Sequence, residues 1–254
     1  VIRKGFFENK EVSVKENFAD LVTETDQAVE KLVINHLKSK FQNHCFIGEE
    51  SASAEKGQHI ILTDAPTWII DPIDGTTNFV HKFPFCCISL ALMVNKVIEF
   101  GIVYNSVTNE IFSAKRGQGA FLNGNKISVS QVKELKDALV CAEIGSSRDD
   151  ATLTVKFDNM KKIIEKAHGI RCQGSAALNM CYVACGRADA YFEFGPHIWD
   201  FAAGEIIVKE AGGVVFSTDG SPVDLLARKV LCSSSKELSC SITKLIQDIP
   251  YDRD

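Results

Sequence analysis

The sequence predicts a layered fold of sheets and helices, of the α+β or mixed α/β class. Three observations carry this. Short strand-like runs follow one another between residues 68 and 122, with turn residues between them. From residue 138 onward, strand-like and helix-like segments alternate. No repeat, low-complexity tract or long Pro/Gly/Ser linker interrupts the 254 residues, enough for one large domain or two small ones sharing a core.

The elements are read in order. Thr25 is a candidate cap for a helix over Asp26 to Phe41, where Val29, Leu32, Val33, His36 and Leu37 recur at helical spacing. Cys45-Phe46-Ile47 is strand-like, and Ser51 to His59 reads as a polar surface loop. Trp68 to Asp71 is a short buried strand ended by Asp-Pro. Phe85 to Val94 and Val97 to Tyr104 flank Asn95-Lys96 as a hairpin. Glu110 to Ala114 and Gly119 to Leu122 continue the meander up to a tight turn at Asn123-Gly124. Strands are then expected over Ala138 to Glu143, Gly169 to Cys172, Ala188 to Phe194, Val214 to Ser217 and Lys229 to Ser233. Helices are expected over Asp149 to Lys166, Ser175 to Cys185, Trp199 to Ala211 and Lys236 to Asp248.

Composition narrows the function classes. The net charge is −5 and no basic stripe or aromatic-basic interleaving occurs, which argues against a nucleic-acid partner. No apolar run reaches the roughly 18 to 20 residues of a membrane helix. The nine Cys are odd in number and form no Cys-x-x-Cys pair, which points to reduced structural thiols in a cytoplasmic protein rather than a zinc site. The chain opens at Val1 without Met or signal-peptide features, so an upstream segment is expected.

The chemistry concentrates in Asp71-Pro72-Ile73-Asp74-Gly75-Thr76-Thr77. Ile69 and Ile70 place a buried strand directly before Asp71, and a single turn would bring Asp71 and Asp74 to one side. The Ile73 carbonyl adds a third hard oxygen, and such a donor set suits Mg²⁺. Gly75 permits close backbone approach, and the Gly75 and Thr76 amides would cradle a phosphate. Three further acidic positions stand out: Glu49 in Gly48-Glu49-Glu50-Ser51, Asp200 after Trp199, and Asp26 at the end of Asp20-Leu21-Val22-Thr23-Glu24-Thr25-Asp26. Taken singly, each is more often a solvated or capping acid.

Together these segments resemble the inositol monophosphatase family, within the lithium-sensitive, magnesium-dependent sugar phosphatases. Its two signatures are matched by Trp68 to His81 and by Trp199 to Gly204 running on through Glu210 to Gly213. The Gly-Glu-Glu-Ser and Asp-Leu-Val-Thr elements occur in family order, and the likeness runs end to end. It is nearest the animal-type members through Gly101 to Tyr104, His168 to Arg171 and Ala188 to Tyr191.

The resemblance implies a single domain over residues 1–254, an αβαβα layered sandwich, with a helix preceding Val1 truncated, and a homodimer. It implies Mg²⁺-dependent hydrolysis of an inositol or similar sugar phosphate by water in line, without a phosphoenzyme, and inhibition by Li⁺. It further implies two to three Mg²⁺ ions. Glu49, Asp71 and the Ile73 carbonyl would hold the first, and Asp71, Asp74 and Asp200 the second. A third would lean on Glu49, which thereby counts as catalytic. Asp26 and Thr76 would orient the attacking water. Gly75 and Thr76 would bind phosphate, while Gly174, Ser175, Ala176, Glu193 and Asp200 would contact substrate and Lys15 would sit near the ions. His81 and His197 are expected to be structural or pocket-lining. Cys86-Cys87 and Cys172-Gln173 depart from the family pattern, the latter beside the substrate loop. The rival readings are a related sugar, polyol or nucleotide phosphatase and a catalytically idle binding homologue. The sequence around the motifs shows no basic cluster for a second phosphate, and every expected ligand is present.

Overall fold

The computed structural model describes residues 1–15, 17–54 and 59–254. Helix α1 (Ile2–Phe7) leads into a two-stranded ribbon, β1 (Val12–Val14) and β2 (Leu21–Thr23), and then into α2 (Glu24–Lys40). Strands β3 (Cys45–Gly48), β4 (Thr67–Asp74), β5 (Cys87–Val94), β6 (Val97–Asn105), β7 (Glu110–Lys115), β8 (Ala120–Leu122) and β9 (Asn125–Ile127) lie side by side in chain order. Only β3 and β4 run parallel in this sheet; the remaining pairs are antiparallel. Short helices α3 (Glu49–Ala54) and α4 (Thr76–Val80) sit at the ends of β3 and β4.

The meander turns are as the sequence predicts. Asn95 and Lys96 both have positive φ, as do Asn123 and Gly124, the conformation that matches the right-handed twist of a tight hairpin.

The second sheet is mixed. After a 3-10 turn (Leu135–Asp137) come β10 (Leu139–Ala142), α5 (Asp150–Ile164), β11 (Gly169–Arg171), α6 (Ala176–Ala184), β12 (Ala190–Phe194), α7 (Ile198–Glu210), β13 (Val214–Phe216), β14 (Lys229–Ser233) and α8 (Lys236–Thr243). Its strand order is β11-β10-β12-β14-β13.

Three apolar clusters show how the layers stack. Ile2, Phe6 and Val29 of α1 and α2 pack on Ile73 and Phe79. Between the two sheets, α6 and α7 bury Met180, Phe201, Ile206 and Ile207 with Met93, Val103, Tyr191 and Cys232. Behind the second sheet, Ile163 of α5 and Leu238 and Ile242 of α8 cover Val140, Ala190, Phe192, Phe194 and Leu231. Strand parity sorts these residues: Tyr191 faces inward while Ala190, Phe192 and Phe194 face out, so Glu193 points with Tyr191 toward the inter-sheet layer. The result is an αβαβα sandwich. Helix α7 is buried almost all round, as a helix between two sheets must be. Gly204 allows α6 to cross it, because a Cβ there would lie 2.6 Å from Met180 Sδ.

Four expectations are corrected. Strand β4 does not end at Asp71 but continues through Pro72 to Asp74, because a register shift lies between Asp71 and Asp74, where no ladder bond is required of proline. Helix α2 is capped by Thr23, whose hydroxyl accepts from Thr25 N at 3.2 Å, not by Thr25. Ser51 to Ala54 are helical rather than loop, the rest of that stretch over residues 55–58 lying outside the described residues. The last helix stops at Thr243, and the Gln247 backbone instead exchanges hydrogen bonds with the Asn159 side chain at 2.7 Å each way.

Candidate active site

The bulge in β4 creates the centre of the site. In a regular strand, residues three apart point to opposite faces. Here Asp71 pairs with Ser89 and Asp74 with Cys87, so three steps on β4 match two on β5. The extra residue restores parity, and Asp71 and Asp74 both line one cleft. The expected single turn is thus a bulge with the same outcome. Glu49 follows β3, whose Gly48 is registered with Ile70, and so arrives beside Asp71. Asp200 lies in the first turn of α7, where its Oδ2 accepts from His197 N at 2.7 Å.

These acids crowd one another. Burial, followed by repulsion from Glu49, Asp74 and Asp200, pushes the Asp71 carboxyl well above its ordinary range. Asp200 is likewise raised by burial and by Asp74 and Glu49. Burial lifts Glu49 to about 7 against the pull of Lys15. Asp74 rises to about 6 through burial, opposed by its bonds from Ser175 and Ala177. Lys15 answers the excess negative charge, its Nζ lying 2.8 Å from both Glu49 Oε1 and Glu50 Oε1. Burial lowers the Lys15 pKa, and its two carboxylates more than offset that.

The donor set suits a hard divalent cation. Asp71 Oδ1 is buried with no hydrogen-bond partner, an acceptor without a donor in a ring of acids. Among the described residues, no three His, Cys, Asp or Glu side chains already close into a metal shell. Lys15 holds Glu49, and Asp74 Oδ2 accepts from Ser175 Oγ at 2.5 Å and Ala177 N at 2.7 Å. Binding a cation there requires the raised acids to lose their protons.

Asp26 stands behind this group and is fully buried. Its Oδ2 accepts from Thr23 N at 2.9 Å and Thr23 Oγ1 at 2.5 Å, while Oδ1 lies 3.3 Å from Thr76 Oγ1. Burial raises its pKa, opposed by the bonds from Thr23. Thr76 opens α4 next to Gly75, whose φ of +85 admits only glycine comfortably; a Cβ would also sit 2.9 Å from the carbonyl oxygens of Gly174 and Phe85.

The cleft encloses about 1360 Å³ and is lined by Lys15, Glu49, Asp71, Ile73, Asp74, Gly75, Thr76, Gly174, Ser175, Ala176, Glu193 and Asp200. The ion-binding, phosphate and substrate residues expected from the sequence therefore meet there, with Asp26 one hydrogen bond behind. The Ser175 hydroxyl is already committed to Asp74 and to Leu178 N. Glu193 accepts from the Tyr191 hydroxyl, and burial followed by Glu143 lifts it to about 8. His81 is exposed and away from the cleft lining, whereas His197 lines it and stacks on Trp199 with ring centroids 4.6 Å apart.

Sequence reasoning missed several supports. Glu143 accepts from Gln173 N at 2.7 Å and Gly174 N at 2.9 Å, fastening the loop before α6. Asn78 Nδ2 donates to Phe85 O at 2.8 Å and Gln173 O at 2.6 Å, tying that loop to α4. Arg148, Lys156, Arg228 and Arg253 also line the cleft, although no basic cluster was legible near the motifs. Lys156 is spent on the carbonyls of Ile144 and Phe194, and Arg253 on Asp224. No local pattern marks any of these; a Glu ending a buried strand, as Glu143 follows β10, is the one signal available.

The chain is similar to known proteins along nearly its whole length. The sequence model of the inositol monophosphatase family matches residues 1–251. The chain is 50% identical to inositol monophosphatase 1 of Bos taurus over 255 aligned positions, covering 100% of this chain and 91% of that protein. The crystal structure of the extragenic suppressor protein suhB from Bartonella henselae superposes with a TM-score of 0.85 at 31% identity, covering 96% of this chain and 92% of that one. A crystal structure described as an IMPase/NADP phosphatase complexed with Mg²⁺ and phosphate superposes with a TM-score of 0.80 at 26% identity, covering 93% and 85%. A staphylococcal inositol monophosphatase soaked in LiCl, an inhibitory complex, matches equally well. Matched by that family model almost end to end and half identical to such a relative, the chain belongs to the inositol monophosphatase family.

Proposed function

We propose that this protein hydrolyses inositol monophosphate to inositol and phosphate, using Mg²⁺ and an activated water. One observation carries this reading. The carboxylates of Glu49, Asp74 and Asp200 crowd Asp71, whose Oδ1 is unpartnered, beside the hydrogen-bonded pair Thr76 and Asp26. Glu49, Asp71, Asp74, Asp200 and the Ile73 carbonyl would hold two to three Mg²⁺. When bound, Mg²⁺ supplies Lewis-acid stabilisation of charge on the attacking and leaving oxygens. Asp26 takes the proton of the attacking water through the Thr76 hydroxyl, and burial makes its carboxylate the stronger base. Lys15 balances the acids around Glu49. The backbone of Gly75 and Thr76 receives the phosphate, and Gly174, Ser175, Ala176 and Glu193 face the alcohol. The Mg²⁺ complex and the lithium-inhibited complex of its relatives support the same ions here, Li⁺ as inhibitor.

We read residues 1–254 as one domain, because α6 and α7 are shared by both sheets. A cytoplasmic setting is supported by nine free cysteines, and no described helix is long and apolar enough to cross a membrane. The family resemblance supports a homodimer. Phosphate release from inositol 1-phosphate, measured with malachite green with and without Mg²⁺, tests the activity. Mg²⁺-dependent release is expected, and its absence from a folded sample overturns the reading in favour of an idle homologue. Preferential turnover of another polyol or nucleotide phosphate in a substrate panel would move the assignment within the superfamily.

A further inference from the structure

Glu30 is a buried acid that the reaction above does not use. It is 4% exposed and lies on α2 one turn after Asp26. Its Oε2 accepts from Glu50 N at 2.8 Å, and its Oε1 accepts from Ser51 N at 2.9 Å and Ser51 Oγ at 2.5 Å. Among the described residues no Lys or Arg is paired with it. Its charge is therefore compensated by the otherwise unpaired amides that open α3. Gly48 completes the fit. A Cβ there would lie 2.6 Å from the Glu30 carboxyl carbon, although the Gly48 backbone is not left-handed.

We propose that Glu30 is a positioning residue for Glu49. It grips the first turn of α3 from behind, while Lys15 holds the Glu49 and Glu50 side chains from the cleft. Because Asp26 sits on the same face of α2, one rigid helix sets both the metal-facing carboxylate of Glu49 and the Asp26–Thr76 pair. The proposal rests on Glu49 being an ion ligand.

Glu30→Gln keeps the volume and removes one acceptor, so it separates positioning from packing. Two readouts apply without substrate: hydrogen exchange at the Glu50 and Ser51 amides, and Mg²⁺ affinity by calorimetry. Faster exchange at those amides is expected, with Mg²⁺ affinity weakened by about 10- to 100-fold, the range for partners that orient ligands. At saturating Mg²⁺ the KM for inositol 1-phosphate should stay at its wild-type value. Gly48→Ala should reproduce the loss by displacing the carboxylate, and should add nothing in a Glu30→Ala background. It also carries the same readouts if Glu30→Gln does not fold. Unchanged amide protection and unchanged Mg²⁺ affinity in either folded variant overturn the proposal. Should the wild-type protein release no phosphate, the phosphatase reading fails, while exchange and Mg²⁺ titration still decide the role of Glu30.

Discussion

Thr76 Oγ1 lies 3.3 Å from Asp26 Oδ1, across 50 residues of sequence. The contact exists because two helix starts meet: Asp26 closes the cap of α2 with one oxygen and leaves the other for Thr76, the first residue of α4. A carboxylate so fixed can take a proton through the hydroxyl once the Thr76 O–H turns to it from Ile73 O, 3.0 Å away. Asp26→Asn should lower kcat by about 10²- to 10⁴-fold with little change in KM, the usual contribution of a positioned base. Thr76→Ser should retain activity and Thr76→Val should lose it. An Asp26→Asn enzyme with wild-type kcat would refute the pairing.

The crowded acids make the metal-free protein pH-sensitive in an unusual direction. Burial raises Glu49 to about 7, Asp74 to about 6 and Glu193 to about 8. An unfolded carboxyl titrates near about 4. Between that value and the folded one, the native state binds more protons than the unfolded state, so stability falls as pH rises. Thermal melts in EDTA should show highest stability near about pH 5 and decline towards about pH 8. Added Mg²⁺ should restore stability at the alkaline end far more than at the acid end, because it binds the deprotonated acids of the folded state. A melting temperature that rises across this range without metal would count against the buried cluster.

Much of this was legible in the sequence, for reasons visible in particular residues. The hairpins at Asn95-Lys96 and Asn123-Gly124 carry their own turn chemistry. Helix α6, capped by Ser175, and helix α7, which carries Trp199, follow cap and apolar signals, so their limits fell within a few residues. The continuation of β4 past Pro72 was not legible, since a bulge is set by the partner strand and Cys87 is 13 residues from Asp74. Likewise Glu143 and Asn78 act through backbone groups brought near only by tertiary packing. Site residues that touch an ion recur as side-chain motifs; those that hold a loop through its amides leave no such pattern.

Glu143 offers a test of loop placement separate from ion binding. Its Oε1 accepts from Gln173 N, Gly174 N and, at 2.7 Å, Asn179 Nδ2, while Cys172 Sγ lies 3.1 Å from Oε2. Replacing it by Ala orphans two backbone amides and the Asn179 side-chain amide, a loss of about 1–3 kcal/mol for each such group. The Gly174 to Ala176 segment would then sample other positions. The KM for inositol 1-phosphate should rise by about tenfold, about 1.4 kcal/mol being one decade. Mg²⁺ affinity measured without substrate should change less than KM, because Glu143 bonds none of the acids directly and reaches only Asp74, through the Ser175 hydroxyl and the Ala177 amide. Equal losses in Mg²⁺ affinity and KM would instead mean that the two halves of the cleft are one unit.

Asp71 is the acid at which function and stability oppose each other most directly. It is buried, faces Glu49, Asp74 and Asp200, and leaves Oδ1 unpartnered. Without metal, at neutral pH, the folded state must either bury this charge among like charges or hold a proton there. Asp71→Asn removes that requirement at nearly constant volume. It should therefore raise the unfolding free energy in EDTA at neutral pH by about 1–2 kcal/mol, within the range of single stabilising changes at functional sites. The same variant should lose both phosphate release and the Mg²⁺-induced rise in melting temperature, since the acid shared by both proposed ion positions is gone. Denaturant titration in EDTA, paired with melts across a Mg²⁺ series, reads both effects. A variant less stable than wild type without metal would show that Asp71 is held by attractions outweighing its neighbours' repulsion.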